Sequence, residues 1–161
     1  MFQAVSLVVI AVLTAVDQLT KYAAVNTVKV NGPKDFLFGL FQFRYVENTG
    51  AAFSSFSEKT ELLSVLTVII LVGCLAVLLS RKIKTKFMNF SLMLIIAGGL
   101  GNVIDRIWHG FVVDFIEPVF IDFAVFNFAD CCITVGAFCM IGCQIYDIIS
   151  EQKKKKAEKD G

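Results

Sequence analysis

Histidine, proline and charge are all scarce in this 161-residue chain, and each shortage removes a class of protein. A single histidine excludes any site that needs two, the H-E-x-x-H zinc proteases among them. Two prolines, and no biased tract other than a lysine run, argue against disorder. Only 18% of the residues are charged, and 57% are hydrophobic before the 11 glycines are counted. Soluble chains run at about 25% charged and about 45–50% apolar with glycine included, so lipid is the expected solvent. The formal balance of 15 basic and 14 acidic residues leaves +1, which removes bulk charge as an argument for nucleic-acid binding.

What is present in quantity is long apolar sequence. Four stretches are long enough to cross about 30 Å of hydrocarbon at about 1.5 Å per residue, roughly 5–24, 62–80, 87–106 and 126–149. Leu62 to Ser80 carries no charge, nor does Phe87 to Ile104. The first span contains Asp17, Gln18 and Lys21, and the last contains Asn127, Asp130 and Asp147. A retained first helix is expected rather than a cleaved signal peptide, because no basic residue precedes it and its apolar run is too long. The spans read as one integral membrane domain, 1–161, with outer segments 25–61 and 107–125 and a tail 150–161.

Orientation follows from the basic residues near the spans. Arg81, Lys82, Lys84 and Lys86 sit between the two middle spans, and Lys153 to Lys156 with Lys159 fill the tail, so both regions and both termini are expected in the cytoplasm. The tail reads as a topology anchor near anionic headgroups and not as a nucleic-acid site. The outer segments are rich in β-formers: Phe41 to Asn48 reads as one extended stretch, Phe111 to Ile116 as another, broken by Pro118, and Val119 to Phe128 as a candidate third. Such segments suit a small sheet at the membrane surface.

With that topology, polar residues from three spans reach one depth. Asp17 and Lys21 lie in the outer half of the first span, Asn102, Asp105 and Arg106 at the outer end of the third, and Asn127 and Asp130 at the outer start of the fourth. Ionisable groups in a span are costly and face a partner or a water-filled cavity, so a shared level implies a shared site. Thr14, Asp17 and Lys21 follow helical spacing, as do Asn102, Asp105 and Arg106. Gly98 and Gly101 precede that second set, where small residues let helices approach closely. Pairs such as Asp17 with Lys21, or Asp105 with Arg106, can also be read as interhelical glue.

The outer acidic residues are Asp17, Asp105, Asp114, Glu117, Asp122 and Asp130. Two carboxylates sharing one proton can activate water and protonate a leaving amine, which suits amide hydrolysis. Asp114 enters on a strand-like segment and Asp130 stands at the mouth of the last span, 16 residues on. A triad would have to use His109, which follows Trp108 and reads as an interfacial residue; a serine-lysine pair from Ser55 and Lys59 is a poor alternative. Gly98-Gly99-Leu100-Gly101 fails as a nucleotide loop, since no strand precedes it. Cys74, Cys131, Cys132, Cys139 and Cys143 fall in spans without C-x-x-C spacing and read as small buried apolar residues; Leu71 to Cys74 looks like a lipoprotein cleavage box only by coincidence. A proton-coupled transporter built on the same acids would place them near the midplane, with polar positions continuing inward, whereas the inner halves of the second and third spans are hydrocarbon.

Five blocks in order, Asp17-Gln18-Leu19-Thr20-Lys21, Asn48-Thr49-Gly50-Ala51-Ala52-Phe53, Gly101-Asn102-Val103-Ile104-Asp105-Arg106, Val112-Val113-Asp114-Phe115 and Phe126-Asn127-Phe128-Ala129-Asp130, resemble the signature blocks of the signal peptidase II family. The resemblance implies a membrane all-α bundle of four transmembrane helices with a small extracytoplasmic β-cradle and a short surface helix over the site, which fits residues 36–53. It implies an aspartic endopeptidase of the bacterial cytoplasmic membrane, its site at the outer face, that cuts diacylglyceryl-modified prolipoproteins immediately before the lipidated cysteine. By position, Asp114 and Asp130 would be catalytic. Asp17, Lys21, Asn48, Gly50, Asn102, Asp105, Arg106 and Asn127 would bind substrate or support the site. No metal or organic cofactor is expected, and a monomer in contact with membrane lipid is. Which aspartate carries the shared proton stays open. Cys131 and Cys132 stand where a small polar or apolar residue is usual in the family.

Overall fold

The computed structural model describes residues 2–50, 60–83 and 85–160. Among these, four helices are long and apolar enough to cross a membrane. The first, α1 (Phe2–Asn31), runs seven residues past the expected end at position 24. Nothing breaks it before Gly32, which takes a left-handed conformation (φ 84°) and donates its N–H to Val28 O at 3.0 Å; Pro33 follows. Asn26, Thr27 and Asn31 in this extension bond back to the carbonyls four residues earlier.

A hairpin comes next, formed by β1 (Lys34–Phe36) and β2 (Phe41–Asn48), and then α2 (Thr60–Leu79). The residues of α2 are apolar all round its midsection, and Leu66, Ile69 and Val72 are exposed, as a lipid-facing helix requires. Helix α3 (Lys86–His109) packs against the other three helices and is the most buried of the four. Two of its glycines make the close packing possible. A Cβ on Gly99 would fall 2.5 Å from Leu71 of α2, and one on Gly101 would meet the Asp17 carboxylate of α1 and lie 3.3 Å from Ala129 Cβ.

After α3, the strand β3 (Val112–Pro118) pairs antiparallel with β2, giving the order β1-β2-β3. The extended reading at 41–48 therefore holds; that at 111–116 holds from Val112, but Pro118 does not break the strand, since it pairs with Phe41 as its last residue, and the third strand is Lys34–Phe36 and not Val119–Phe128. In that segment only Phe126 bridges to Ile116; Val119 N–H is drawn to Leu40 O at the hairpin turn, and the chain must leave the sheet for Asn127 to begin a helix. Strand β3 uses its two faces differently, as a period of two allows. Val113 and Phe115 pack on Ala24 of α1, while Val112 and Asp114 face a cavity.

The pairing of β2 with β3 slips by one residue between Phe43, opposite Ile116, and Val46, opposite Asp114. This bulge has a specific consequence. An uninterrupted ladder would put Asn48 on the face away from Asp114; the extra residue reverses the parity and brings both onto one face.

The last helix, α4 (Phe128–Asp160), starts two residues later than expected, and the tail is not a separate segment but its helical continuation. The expected short helix above the site, and the Ser55 and Lys59 alternative, lie outside the described residues.

Candidate active site

The first turn of α4 fixes the first carboxylate. Asn127 Oδ1 accepts the Asp130 backbone N–H at 2.9 Å, and Asp130 Oδ2 accepts the Asn127 backbone N–H at 3.1 Å. This is the reciprocal arrangement of a capping box, with Asn127 as the cap and Asp130 in the place of the usual glutamate. It places the Asp130 carboxylate at the N-terminus of α4. Its other oxygen, Oδ1, accepts from Asn102 Nδ2 of α3 at 2.8 Å.

The second carboxylate, Asp114, is 2% exposed on β3. Its Oδ1 accepts from Asn127 Nδ2 at 2.7 Å and its Oδ2 from Asn48 Nδ2 at 2.8 Å. Asn48 is held in turn by Gly50 N–H, which donates to Asn48 Oδ1 at 3.0 Å and so commits the amide nitrogen to Asp114. Burial, reinforced by the negative charge of Asp130, pushes the Asp114 carboxyl up to about 6 against the opposing pull of Asn48, Asn127 and the Lys21 charge.

Both carboxylates open on one cavity of about 490 Å³ that Asn48, Gly50, Asn102 and Arg106 also line. Its remaining wall is largely apolar, made by Phe123 to Phe126 on one side and by Ile133 and Val135 of α4 on the other. Among the described residues, Arg106 donates only long bonds, 3.3 Å to Gly50 O and 3.5 Å to Asn102 O, and its buried Nε has no partner. A guanidinium with donors to spare beside two acids can bind a peptide carbonyl or another electron-rich group.

Directly beneath lies a buried ion cluster. Lys21 Nζ reaches Asp17 Oδ2 at 2.9 Å, Asp105 Oδ2 at 3.1 Å and Asn102 Oδ1 at 2.9 Å. Asp17 Oδ1 also accepts the N–H of Ala129, in the first turn of α4, and Asp105 Oδ2 accepts the N–H of Val113 at the start of β3, each at 2.9 Å. The cluster thus ties α1, α3, β3 and α4 together at one point. Gln18, unassigned from sequence, adds bonds to Asp17, Asp105 and Gly101 O. Its place beside Asp17 in a span, within the first of the five signature blocks, was the signal for it.

The expected Asp17 and Lys21 pair is present, but Asp105 pairs with Lys21 and not with Arg106. Adjacent helical residues point about 100° apart, so Asp105 turns inward while Arg106 lines the cavity. Of the other acids, Glu117 is engaged by Gln42 and Arg44, and Asp122 is exposed. His109 is exposed and stacks near Phe111, with ring centroids 5.7 Å apart. All five cysteines are free thiols; Cys131 lines the cavity and Cys132 is buried. Among the described residues, no cluster of three or more His, Cys, Asp or Glu could hold a metal ion.

Comparison with known proteins identifies the family. The family described as Signal peptidase (SPase) II matches residues 9–146. A lipoprotein signal peptidase of Streptococcus thermophilus is 39% identical over 134 residues, 83% of this chain and 88% of its own length. That of Enterococcus faecalis is 34% identical over 148 residues, 92% and 90% of the two chains, and that of Trichormus variabilis is 42% identical over 126, or 78% and 80%. Two solved structures, each described as a bacterial membrane enzyme determined by the in meso method, superpose with TM-scores of 0.83 and 0.80 at 31% and 32% identity. They cover 90% and 89% of this chain and 90% and 94% of their own. With four membrane-competent helices, a three-stranded sheet and this extent of similarity, the chain belongs to the signal peptidase II family of membrane aspartic peptidases.

Proposed function

We propose that this protein cleaves signal peptides from diacylglyceryl-modified prolipoproteins, immediately before the lipidated cysteine, with Asp114 and Asp130 as the reacting pair. The reading rests above all on one observation: carboxylates from a strand and a helix start meet in a single cavity, each supplied with two hydrogen-bond donors. Family membership supports the substrate class, since the relatives are lipoprotein signal peptidases.

Asp114 serves as the protonated partner, which leaves the part of the base to Asp130. Asp114 is buried and its carboxyl is raised to about 6. Asp130 takes a proton from water while the oxygen bonds to the scissile carbonyl carbon, and Asp114 gives its proton to the carbonyl oxygen. In the collapse of the resulting diol, Asp130 delivers the proton it gained to the departing cysteine amine. The C–N bond breaks and Asp114 recovers a proton from the oxygen. Arg106, Asn48 and Gly50 hold the substrate backbone at the cavity rim, Asn102 supports Asp130 by donating to it, and Asn127 joins the two carboxylates. Asp17, Lys21 and Asp105 support them from below.

The chain acts as one integral domain and as a monomer, with both termini cytoplasmic and the cavity at the outer face in contact with membrane lipid. Basic residues at the α2–α3 link and the end of α4 support that orientation, because antiparallel α3 and α4 put both at the end of the bundle opposite the cavity. The largely apolar cavity wall suits a lipidated substrate that never leaves the headgroup level.

The test is to replace Asp114 or Asp130 singly with Asn and assay a diacylated prolipoprotein in detergent, sequencing the product. Loss of cleavage in both variants, with a wild-type product that begins at the lipidated cysteine, is expected. Substantial cleavage by either variant overturns the pair.

A further inference from the structure

We propose that Lys21 is a positioning residue for Asp130 and acts on it through Asn102. The inference rests on Asp130 being one of the reacting pair, as proposed above. An ammonium group only donates, and its three hydrogens here face three acceptors: Asp17 Oδ2, Asp105 Oδ2 and Asn102 Oδ1. Every donor is committed, so the group has no freedom to turn.

The third acceptor decides the matter. A side-chain amide whose oxygen is claimed on one side must present its NH2 on the other, and Asn102 Nδ2 donates to Asp130 Oδ1 at 2.8 Å. Asn127 Nδ2, 3.2 Å from Asn102 Oδ1, pulls the same way. A reversed amide would set its NH2 against the ammonium and against Asn127 Nδ2, and its oxygen against a carboxylate. Three favourable contacts would become three repulsive ones. Lys21 is 3% exposed and does not line the cavity, yet it selects which end of Asn102 the Asp130 carboxylate meets. Joining α1 to α3 would need only the Asp105 contact, since Asp17 lies on α1 itself, and Gln18 already bridges the same helices. The bond to Asn102 goes further, toward the reacting group.

Simple removal of Lys21 would strand two buried carboxylates, which is strongly destabilising. The informative variant is therefore Lys21→Met with Asp17→Asn, which leaves the cluster's net charge unchanged. The full chain is assayed in detergent with a diacylated prolipoprotein, and rates are normalised to the folded fraction from thermal unfolding. The expected result is a kcat lower by about 100-fold, the scale of a misplaced catalytic group, with KM within about twofold because Lys21 does not touch the substrate cavity. Lys21→Arg, which keeps the charge and the donors, should recover most of that loss. Adding Asn102→Ala to the double variant should lower kcat no further, because both changes act on the same bond.

Multiplicative losses, or a normal kcat per folded molecule, would overturn the relay. If the double variant does not fold, Asn102→Asp gives the same reading, since it keeps an acceptor for Lys21 and turns an oxygen toward Asp130; a kcat near wild type would then overturn it. Asp130→Asn separates the two ideas: cleavage by that variant removes the underlying pair, whereas its inactivity beside multiplicative losses removes the relay alone.

Discussion

Asn127 and Asp130 cap one another across the first turn of α4, each accepting the other's backbone N–H. The same Asn127 side chain donates to Asp114 at 2.7 Å, so one residue starts a helix, fixes one carboxylate and reaches the other. The two duties can be separated by substitution.

Serine at position 127 retains the cap but lacks the amide donor, while alanine lacks both. Asn127→Ser is expected to be more stable than Asn127→Ala by about 1 kcal/mol, the usual worth of an N-cap. Both should lose cleavage to a similar degree, because alanine has no donor and the shorter serine hydroxyl does not reach Asp114 as the amide does. Thermal unfolding in detergent alongside cleavage rates gives the comparison, and equal stability of the two variants would contradict the cap.

The raised Asp114 carboxyl predicts two pH effects of defined sign. Its value of about 6 exceeds the ordinary 3.8, so the folded state holds a proton that the unfolded chain has already released. Stability therefore declines as pH rises from about 4 to about 6 and levels off above that. As the proton donor, Asp114 also gives kcat/KM a limb that falls above about pH 6. In Asp114→Asn the decline of the melting temperature over that window should disappear; an unchanged decline would assign it to another group.

Gly101 marks the crossing of three helices. Gly101→Ala would drive a methyl into the Asp17 carboxylate and against Ala129, and a loss of about 1–3 kcal/mol is expected, as for overpacking elsewhere. Gly73→Ala is the control. It lies in α2 with open space around it, so it should unfold no earlier than wild type and gain up to about 1 kcal/mol from helix propensity. Similar melting temperatures for the two variants would argue against the tight crossing.

His109 is exposed at the end of α3, and Asp114 and Asp130 already carry the proton transfers proposed. His109→Ala should cleave at the wild-type rate, and a chelator should leave the wild type active. A rate lowered more than about tenfold by the substitution would bring a histidine into the chemistry, and zinc-reversible inhibition would do the same for a metal.

Much of the bundle was legible because lipid imposes a simple rule. A span must be apolar over about 20 residues, so Leu62 to Ser80 and Phe87 to Ile104 declare themselves without neighbours. The same rule made Asp17, Lys21, Asn102, Asp105, Asn127 and Asp130 conspicuous, and ion pairs and hydrogen bonds join all six in one network. Helix ends were less legible. Past position 24 the chain keeps its helix in polar sequence until Gly32 and Pro33 stop it, and composition marks only where hydrocarbon ends.

Local sequence determined the four apolar helices, the extended runs at 41–48 and 112–116, and the Asn127-x-x-Asp130 cap, because each depends on residues within a few positions of one another. Tertiary structure alone decided the rest. It gave the third strand to Lys34–Phe36, since a strand exists only where a partner edge is free. It gave Asp105 to Lys21 rather than Arg106, since helix geometry turns neighbouring side chains apart. Above all it set Asn48 on the face of Asp114, through a one-residue bulge between Phe43 and Val46. Register is a relation between two strands about 70 residues apart, and no reading of either strand by itself contains it.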